Sequence, residues 1–469
     1  MTRNQKISIL SVGVLLLSLG ACVTKKYERP AELKTDGLYR DVASTDTTSI
    51  ADLPTSTLFT DPQLQALIKE ALENNLDLKS AIERMKSAEA NFGLSKTAFL
   101  PSLNLDLSAT DNKQSRAALN LPPSINIPLE TQLYRAQLST AWEIDVWGKL
   151  GSAKRSALAS YLQTDAAKRA VQTQLISSIA SNYYTLLALD LQLKITQQTL
   201  ESRIKNVQAI KSLKEAGILN GAAVVQSEAN QYAAEVTIPD LKRSIRETEN
   251  ALNLLLGKGA GAVSRTSLEA QQDYKDLQVG IPSQLLKNRP DVQQAELAFR
   301  VAFENTNLAK TYFYPQLTLT ANGGLSSLRL ENFFNNSIFY SIVGGLTQPI
   351  FNKGQNKARL TSAKAAQQES FYNFQKSVLT AGSEVSNALF AYQTAVEKET
   401  SRSKQIASLE KAVDFTKELL KYSSATNYTD VLTSEQSLLA AQLSGVNDRL
   451  QKLQAIVNLY RALGGGWKE

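Results

Sequence analysis

The chain has 469 residues, with 51 Lys and Arg, 44 Asp and Glu, and a formal net charge of +7. It contains no His, two Met and one Cys, which removes the commonest general base, the commonest metal ligand and any internal disulfide. The excess positive charge is scattered, and no basic block alternates with aromatic residues, so the sequence offers no nucleic-acid surface. Composition therefore predicts no catalytic residues, no cofactor and no metal site.

The N-terminus predicts a lipoprotein signal. A basic start precedes an apolar run over 7–19, which is followed by Gly20-Ala21-Cys22. This pattern is typical of a secretory signal peptide, here 1–21. The position of Cys22 resembles a bacterial lipobox, which implies cleavage before Cys22 and its acylation. The alternative is an ordinary signal peptide with a chance cysteine. Val23, rather than Asp, follows the cysteine, and in the lipoproteins that this segment resembles this implies sorting to the outer membrane.

The rest of the chain repeats itself. Residues 77–105 align with 291–319 at a constant offset of 214, and eleven of these 29 positions are identical, Pro101 and Pro315 among them. Ser227-Glu228 likewise aligns with Ser434-Glu435 in the second half. Matched prolines in the same order are not expected from chance similarity between amphipathic helices. Each half therefore predicts the same succession of helix, two strands, very long helix and helix.

The longest predicted elements are helices. Residues 152–216 contain neither Gly nor Pro, and apolar positions recur there every three, four or seven residues. Such a helix would be about 100 Å long and must pack beside other helices. Residues 355–424 repeat the pattern, interrupted only by Gly382. Pro239 is expected to kink or break the helix over 221–257.

The predicted organisation follows from these patterns. Its parts are a signal peptide (1–21), a lipid-anchored extended segment (22–60), a first repeat (61–258; helix 62–98, strands near 101–110 and 132–147, helices 151–216 and 221–257), an equatorial linker (259–283), a second repeat (284–463; helix 284–313, strands near 315–324 and 339–350, helices 355–424 and 427–463) and a tail (464–469).

The predicted strands alternate apolar and polar residues. Leu103, Leu105 and Leu107, for example, alternate with polar side chains. Alternation over about ten residues is typical of transmembrane barrel strands, but a soluble half-buried sheet has the same period. The lipobox and the 100 Å helices favour the barrel. The candidate pore-lining residues are the polar positions Asn104, Asp106, Arg135, Glu143 and Asp145.

Four strands cannot close a membrane barrel alone, because about eight is the smallest number found in one chain. Open sheet edges do not occur in lipid, so several chains must share one barrel, and three chains supply twelve strands. The predicted fold class is therefore α+β, mainly α and internally duplicated. It has a trimeric 12-stranded transmembrane β-barrel, four strands per chain, continued by a long α-helical periplasmic barrel.

Four motifs resemble those of one family. They are Trp142–Lys149 (WEIDVWGK), Leu285–Val292 (LLKNRPDV), Leu346–Phe351 (LTQPIF) and Leu459–Trp467 (LYRALGGGW). With these motifs the whole mature chain resembles the TolC-like outer-membrane efflux factors, in particular their lipidated branch, which serves RND-type tripartite pumps. Trp142 and Trp147 fit either a membrane interface or a packed core.

The resemblance implies a function. It implies a homotrimer in the outer-membrane lipid of a Gram-negative bacterium, extending into the periplasm. With a periplasmic adaptor and an inner-membrane RND-type pump, the trimer would passively release small toxic compounds such as antibiotics. Alternatives are an exit duct for type I protein secretion and a helical lipoprotein tether without a channel. An enzyme is the weakest alternative.

The resemblance also implies a periplasmic gate at the turns that follow the long helices. The family's lock uses an Arg and a Tyr before the turn and an Asp on the returning helix. Lys421 and Tyr422 occupy the first two positions here. The Asp position falls on Thr433, with Asp430 one turn earlier. Because Lys replaces Arg, a bidentate carboxylate clamp is lost. These four residues are the candidate gate; the alternative is a set of ordinary solvated turn residues.

Overall fold

The structure is a computed structural model that describes residues 24–30, 35, 37–40, 47–119, 122, 125, 127–272, 274, 277–422 and 428–468. Its helices are α1 (Thr55–Leu58), α2 (Pro62–Asn74), α3 (Leu76–Thr97), α4 (Lys149–Glu215), α5 (Gly221–Leu255), α6 (Leu285–Asn288), α7 (Pro290–Thr311), α8 (Gln355–Tyr422) and α9 (Tyr428–Ala462). Its strands are β1 (Ser102–Lys113), β2 (Glu130–Ile144), β3 (Gln316–Ser327) and β4 (Ile338–Thr347). The predicted class, mainly helical α+β, is confirmed.

The described residues form two compact units. The first, called the sheet unit here, comprises the described parts of Met1–Pro30, Lys86–Gln163 and Glu296–Asn373. The second, called the core unit, comprises those of Ala31–Met85, Thr164–Ala295 and Phe374–Glu469. Both units draw on both halves of the chain, because the long helices α4 and α8 each contribute to both.

The sheet unit contains one four-stranded antiparallel sheet in the order β1-β2-β3-β4. The parts of α3, α4, α7 and α8 that belong to this unit lie side by side in that order. Each neighbouring pair is joined by a side-chain contact: the stacked rings of Phe92 and Tyr161, the ion pair of Arg155 and Glu304 at 2.9 Å, and the rings of Phe299 and Phe371 with centroids 5.5 Å apart.

The core unit is held together by a large apolar core and by a buried carboxylate. Asp61 caps α2 by accepting a hydrogen bond from the Gln63 backbone N–H at 2.8 Å. Its Oδ2 also accepts bonds from the Tyr183 hydroxyl at 2.8 Å, from the Gln271 amide at 2.7 Å and from the Thr266 hydroxyl. Burial opposes ionisation of Asp61, but these bonds outweigh it and lower the pKa of its carboxyl. One side chain thus fastens the linker after α5 to α4.

The Arg-Pro-Asp motif is a structural clasp in the core unit. Arg289 is 4% exposed and donates to Asp291 at 2.9 Å, to Glu384 on α8 at 2.7 Å and to the Ala462 carbonyl at 3.0 Å. The Trp467 indole N–H donates to the Asn288 carbonyl at 2.8 Å. Through these bonds the motif joins the start of α7 to α8 and to the end of the chain.

Two predicted helices are interrupted. The helix predicted over 62–98 ends at Asn74, because Asn75 caps a new helix by accepting from the Leu78 N–H at 2.9 Å. The helix predicted over 284–313 is broken at Arg289, whose ψ of 115° is extended, since a residue before proline avoids the helical region. Of the kink or break expected at Pro239, the break does not occur: α5 continues through Pro239 from Gly221 to Leu255.

Gly382, the one interruption in the pattern of α8, serves packing. A Cβ at Gly382 would lie 2.8 Å from the Cβ of Leu38, which is closer than real Cβ contacts come. The glycine therefore lets the N-terminal segment around Leu38 lie directly against the helix backbone. The glycine is visible in the sequence as an irregularity of the helix, but no local pattern connects it to Leu38.

Candidate functional site

The strand register sorts the sheet into two faces. Residues paired across neighbouring strands point to the same side, and one row reads Leu105, Leu138, Gly323 and Tyr340. The same face carries large apolar side chains along every strand, which are Leu103, Leu105, Leu107, Leu138, Trp142, Ile144, Leu317, Leu319, Leu325, Ile338, Tyr340, Ile342 and Leu346. Most of them are exposed, Leu105 to 65% and Ile338 to 83%. We call this surface the apolar face.

The opposite face is mostly polar, and four of the five predicted pore-lining residues lie on it. One row across the sheet reads Asn104, Ser139, Asn322 and Ser341. Asn104 is the predicted pore-lining residue in this row. The other three predicted residues on this face contact neighbouring side chains: Asp106 accepts a hydrogen bond from the Ser139 hydroxyl at 2.8 Å, Arg135 lies over the Phe339 ring at 5.5 Å, and Glu143 accepts one from Lys149 at 2.9 Å. The apolar and polar sets therefore occupy separate faces of the sheet, as the alternation predicted.

Asp145 is placed differently from the sequence prediction. β2 ends at Ile144, so Asp145 lies beyond the strand rather than on its polar face. Its two carboxylate oxygens accept the backbone N–H groups of Leu150 at 3.0 Å and Gly151 at 2.7 Å. These are orphan donors in the first turn of α4, so Asp145 caps the long helix where the chain leaves the sheet.

The two tryptophans of the same junction have different surroundings. Trp142 belongs to the apolar face, is 37% exposed, and donates its indole N–H to the Phe99 carbonyl at 2.9 Å. Trp147 is less exposed, stacks on Tyr314 with centroids 5.1 Å apart and donates to the Pro315 carbonyl at 2.6 Å. Trp142 is therefore partly exposed on the apolar face, as a membrane-interface residue would be, whereas Trp147 packs within the junction.

An N-terminal strap, residues 24–30, runs along α7 in the sheet unit. Thr24 lies 3.2 Å from the position that a Cβ on Gly148 would take, at the junction of β2 and α4. Tyr27 packs edge-on against Phe299, and Arg29 forms a bidentate pair with Glu296 at 2.8 and 2.6 Å. Cys22, the predicted acylation site, lies outside the described residues, two positions before the strap.

The candidate gate lies where α8 ends and α9 begins. Residues 423–427 and the Lys421 side chain lie outside what the structure describes. Tyr422 is 86% exposed. Asp430 is exposed in the first turn of α9. Thr433 donates its hydroxyl to the Thr429 carbonyl at 2.9 Å, so this bond to its own helix occupies the hydroxyl. The structure therefore brings Asp430 and Thr433 onto one helix turn beside the end of α8.

Sequence reasoning missed the residues that tie the two turns together. The Tyr428 hydroxyl donates to the Ser227 hydroxyl on α5 at 2.9 Å. Tyr428 also belongs to a small buried cluster with Ile210, Val224 and Leu432. Burial raises the pKa of the Tyr428 hydroxyl.

Glu435 adds a polar link in the same place. It accepts from the Asn206 amide on α4 at 2.9 Å and pairs with Lys417 on α8 at 2.8 Å. The sequence feature that could have pointed to Glu435 is the internal repeat, in which Ser227-Glu228 aligns with Ser434-Glu435. The four helix ends of one chain are thus joined near the turns.

The described residues hold no cluster of three or more His, Cys, Asp or Glu side chains arranged to bind a metal. A cavity of about 790 Å³ lies in the core unit and is lined by charges of both signs, including Asp77, Arg84, Asp291 and Arg461. Within the described helices, none is both long and apolar enough to cross a membrane.

Comparison with known proteins identifies this arrangement. Residues 67–258 and 281–465 match the Outer membrane efflux protein (OEP) family. The solvent efflux pump outer membrane protein SrpC of Pseudomonas putida is 32% identical over 96% of this chain and 97% of that protein. The probable outer membrane lipoprotein SilC of Salmonella typhimurium is 28% identical over 99% and 100%. The open state of the MtrE outer membrane channel of Neisseria gonorrhoeae superposes with a TM-score of 0.81, at 25% identity, over 95% and 98%.

The fold and its two-faced sheet define an outer-membrane channel protein. The chain belongs to the outer membrane efflux protein family. It is an exit duct for efflux, located in the outer membrane of a Gram-negative bacterium and extending into the periplasm. The family is one of transport proteins.

Proposed function

We propose that three copies of the chain close their sheets into one 12-stranded barrel that spans the outer membrane. The observation that supports this is the apolar face combined with the strand order. β1 and β4 lie at the edges of the sheet and each has one strand partner among the described residues. Unsatisfied backbone groups at such edges are costly in lipid. Pairing β4 of one copy with β1 of the next removes both edges, and three copies close the ring.

The closed barrel gives each face of the sheet its own solvent. The apolar face meets lipid, where exposed Leu and Ile side chains such as Leu105 and Ile338 are favourable. The polar face, with Asn104, Asp106, Arg135 and Glu143, lines a water-filled passage. Selectivity in such a passage comes from its width and its lining charges. A soluble half-buried sheet would instead cover its apolar face with protein; in water the exposed apolar face of this sheet would be costly for a patch of this size.

The duct works as the passive last stage of a tripartite efflux pump. A periplasmic adaptor and an inner-membrane RND-type pump deliver small toxic compounds, such as antibiotics or solvents, and the pump supplies the energy. The support is the likeness along the whole chain to SrpC, which is named as a solvent efflux pump component. No residue of the chain is assigned a catalytic step.

The experiment that tests the duct combines oligomeric state with conductance. Detergent-extracted protein, studied by light scattering, is expected to have three times the mass of one chain. Added to a planar bilayer, the same preparation is expected to produce discrete conductance steps. A monodisperse monomer that keeps its β-sheet circular dichroism would overturn shared closure. A trimer that never conducts would favour the helical tether without a channel.

We also propose that Cys22 is acylated and anchors the chain in the periplasmic leaflet. The strap supports this, because Thr24 lies at the junction between the sheet and the helices, only two residues from Cys22. The similarity to a probable outer membrane lipoprotein agrees with it. Because Cys22 is the sole thiol of the chain, Cys22→Ser is expected to abolish labelling by radioactive palmitate while the trimer persists. Label retained in the mutant would refute the anchor.

The turns after α4 and α8 are the proposed periplasmic aperture, with Lys421, Tyr422, Asp430 and Thr433 as the gate. The exposure of Tyr422 and Asp430 supports this role, because a gate must present side chains to the neighbouring copies around the axis. An adaptor that binds the open arrangement preferentially would then shift the equilibrium towards it.

A further inference from the structure

Lysines gather on one side of the sheet unit, next to the junction between sheet and helices. We name this set the lysine collar: Lys25 of the strap, Lys96 of α3, Lys154 of α4, Lys310 of α7, and Lys357 and Lys364 of α8. Lys310 is half-buried and the other five are exposed. The proposed passage through the barrel does not use these charges.

Helical spacing places the collar on the strap side of the unit. On α7, Phe299, Phe303 and Asn307 contact the strap, and Lys310 continues their spacing of three and four residues. On α8, Lys357 and Lys364 precede Phe371 by fourteen and seven residues, and Phe371 packs on Phe299. Multiples of seven return nearly to the same face of a helix, so both lysines share the side of the strap.

The other two helices continue the same side. Lys154 lies seven residues before Tyr161, which stacks on Phe92, and Lys96 follows Phe92 by four residues with its ammonium 4.2 Å from that ring. The reverse sides of α4, α7 and α8 line a separate cavity of about 500 Å³, among small and polar residues that include Gln163 and Asn305. The collar and this cavity therefore lie on opposite surfaces.

The collar is continuous with the apolar face rather than with the polar one. The Lys154 ammonium lies 5.8 Å from the centre of the Phe99 ring. The Phe99 carbonyl in turn accepts the indole N–H of Trp142, which belongs to the apolar face. By contrast Lys149, which pairs with Glu143 of the polar face, lies on the other side of α4. On this surface the residue types change in order from the sheet to the helices: Leu and Ile on the strands, then aromatic rings, then the lysines of the collar.

Nearby carboxylates do not neutralise the collar. Glu304 is 1% exposed and is held by Arg155. Glu143 pairs with Lys149, and Asp145 caps α4. None of the collar lysines forms a salt bridge with a described carboxylate. Burial, together with the charges of Lys25 and Lys364, lowers the pKa of Lys310. Like charges are thus held close together beside an apolar surface.

We propose that the lysine collar binds the phosphate groups of anionic phospholipids in the periplasmic leaflet of the outer membrane. Lysines at the border of a membrane-embedded surface extend their stems along apolar side chains and place their ammonium groups at headgroup level. A cluster of four to eight such cations is sufficient to attract anionic lipid. The inference rests on the barrel placement under the proposed function, and in a trimer the six lysines would repeat three times around the barrel.

The test compares a collar variant with a matched control variant. The collar variant is Lys154→Gln, Lys310→Gln and Lys364→Gln in the full-length lipidated protein. The control variant is Lys214→Gln, Lys242→Gln and Lys404→Gln, which removes three exposed lysines of the core unit. Trimer mass and bilayer conductance are measured first for both. Normal values show that the duct is intact, so a loss of lipid binding is separable from a failure of the barrel.

Binding is then measured in detergent micelles by thermal shift and native mass spectrometry. The lipid probes are phosphatidylglycerol and phosphatidylcholine, and inorganic phosphate is tested alone. Wild type and control are expected to retain phosphatidylglycerol preferentially, and the collar variant is expected to bind it at least about tenfold more weakly. High salt is expected to weaken wild-type binding.

Three outcomes would overturn the proposal. The first is equal phosphatidylglycerol binding by the collar and control variants. The second is binding of inorganic phosphate or phosphatidylcholine as strong as that of phosphatidylglycerol. The third is unchanged lipid binding by the collar variant with loss of a co-purifying acidic protein, which would assign the collar to a protein partner.

Discussion

Large apolar side chains form a buried core in the core unit but are mostly exposed on the strands of the sheet unit. In the core unit Leu64, Ile179 and Leu252 are fully buried. In the sheet unit Leu103 and Leu107 are each 71% exposed, although β1, which carries both, is a regular strand paired with β2 along its whole length. The two units differ in what covers their apolar side chains. The core unit excludes water with its own side chains, whereas the sheet unit presents an apolar surface that another medium must cover.

Polar groups follow the same division. In the core unit a buried carboxylate such as Asp61 is surrounded by donors, as burial of a charge requires. In the sheet unit the polar side chains share one face of the sheet, where those of β1 are exposed and those of β2 are mostly half-buried. The same kind of substitution is therefore expected to have different effects in the two units.

The largest effect is expected from Asp61→Ala in the core unit. The substitution removes a helix cap, leaves the buried donors of Tyr183 and Gln271 without their acceptor, and removes the partner of the Thr266 hydroxyl. The expected loss is about 3–5 kcal/mol of unfolding free energy, measured by urea denaturation in detergent. The control is Asp52→Ala, which removes an exposed ion pair with Lys468 and should cost about 0–1 kcal/mol. Similar losses in both variants would show that the network contributes little.

How far the sequence predicts these features depends on how far apart along the chain the contacting residues lie. The two faces of the sheet follow from alternation alone, because successive strand residues point to opposite sides. Asp145 was misplaced because the end of a strand depends on a cap formed with a later helix. The contact between Asp61 and Gln271 joins residues 210 positions apart, and no local pattern connects them. Gly382 was visible as an irregularity, but its partner Leu38 was not.

The second prediction tests the solvent of the apolar face. Leu105→Arg is expected to cost about 2–4 kcal/mol at mid-bilayer depth, because a charge would then face lipid. The measurement is the yield of the assembled oligomer and the free energy of folding into vesicles. Asn104→Arg is the matched control, since the neighbouring side chain lies on the polar face and should tolerate the charge. Equal damage from both changes would mean that the faces are assigned the wrong way.

The third prediction concerns pH. Burial alone would raise the pKa of Asp61 and Asp448, but hydrogen bonds from their neighbours, and for Asp448 the charges of Lys398 and Arg402, lower it. Each carboxyl therefore stabilises the fold above its unfolded pKa near 4, and this stabilisation is lost as the pH falls through the lower folded value.

At high pH the sign is reversed. Burial raises the pKa of Tyr183 to about 12, so its contribution is complete below its unfolded pKa of about 10 and is lost between about 10 and 12. With no His in the chain, the melting temperature should be flat from about pH 5 to 9. A clear step between about pH 6 and 7, measured by circular dichroism, would contradict this account.

A smaller effect is expected from two helix glycines. Gly382→Ala should destabilise the core unit by about 1 kcal/mol, because the new methyl group would overlap the Leu38 side chain. Gly93→Ala in α3 should stabilise by about 0.5–1 kcal/mol, because nothing lies within 4 Å of the new Cβ. Thermal unfolding of the two variants should therefore shift in opposite directions. A stabilising Gly382→Ala would mean that the N-terminal segment does not lie against α8.

The smallest free-energy effect is expected at the turns, although its consequence in cells should be large. The candidate contacts there are exposed, and each wet ion pair contributes only about 0–1 kcal/mol. Three copies around an axis would still bias the aperture towards closure, because the same contact repeats at each turn. The aperture should therefore open on small local changes, without the losses expected in the core unit.

The test is the double variant Tyr422→Ala with Asp430→Ala. It is expected to raise single-channel conductance and to sensitise cells to a bulky antibiotic that the outer membrane normally excludes. The matched change at the first-half turn, Glu215→Ala with Ala223→Ser, should do less, because that turn has no Lys-Tyr pair. Tyr428 and Glu435, which join the helix ends within one chain, are left intact in both variants so that the turns stay folded. Wild-type conductance in the first variant, with normal expression, would place the lock elsewhere on the helix ends.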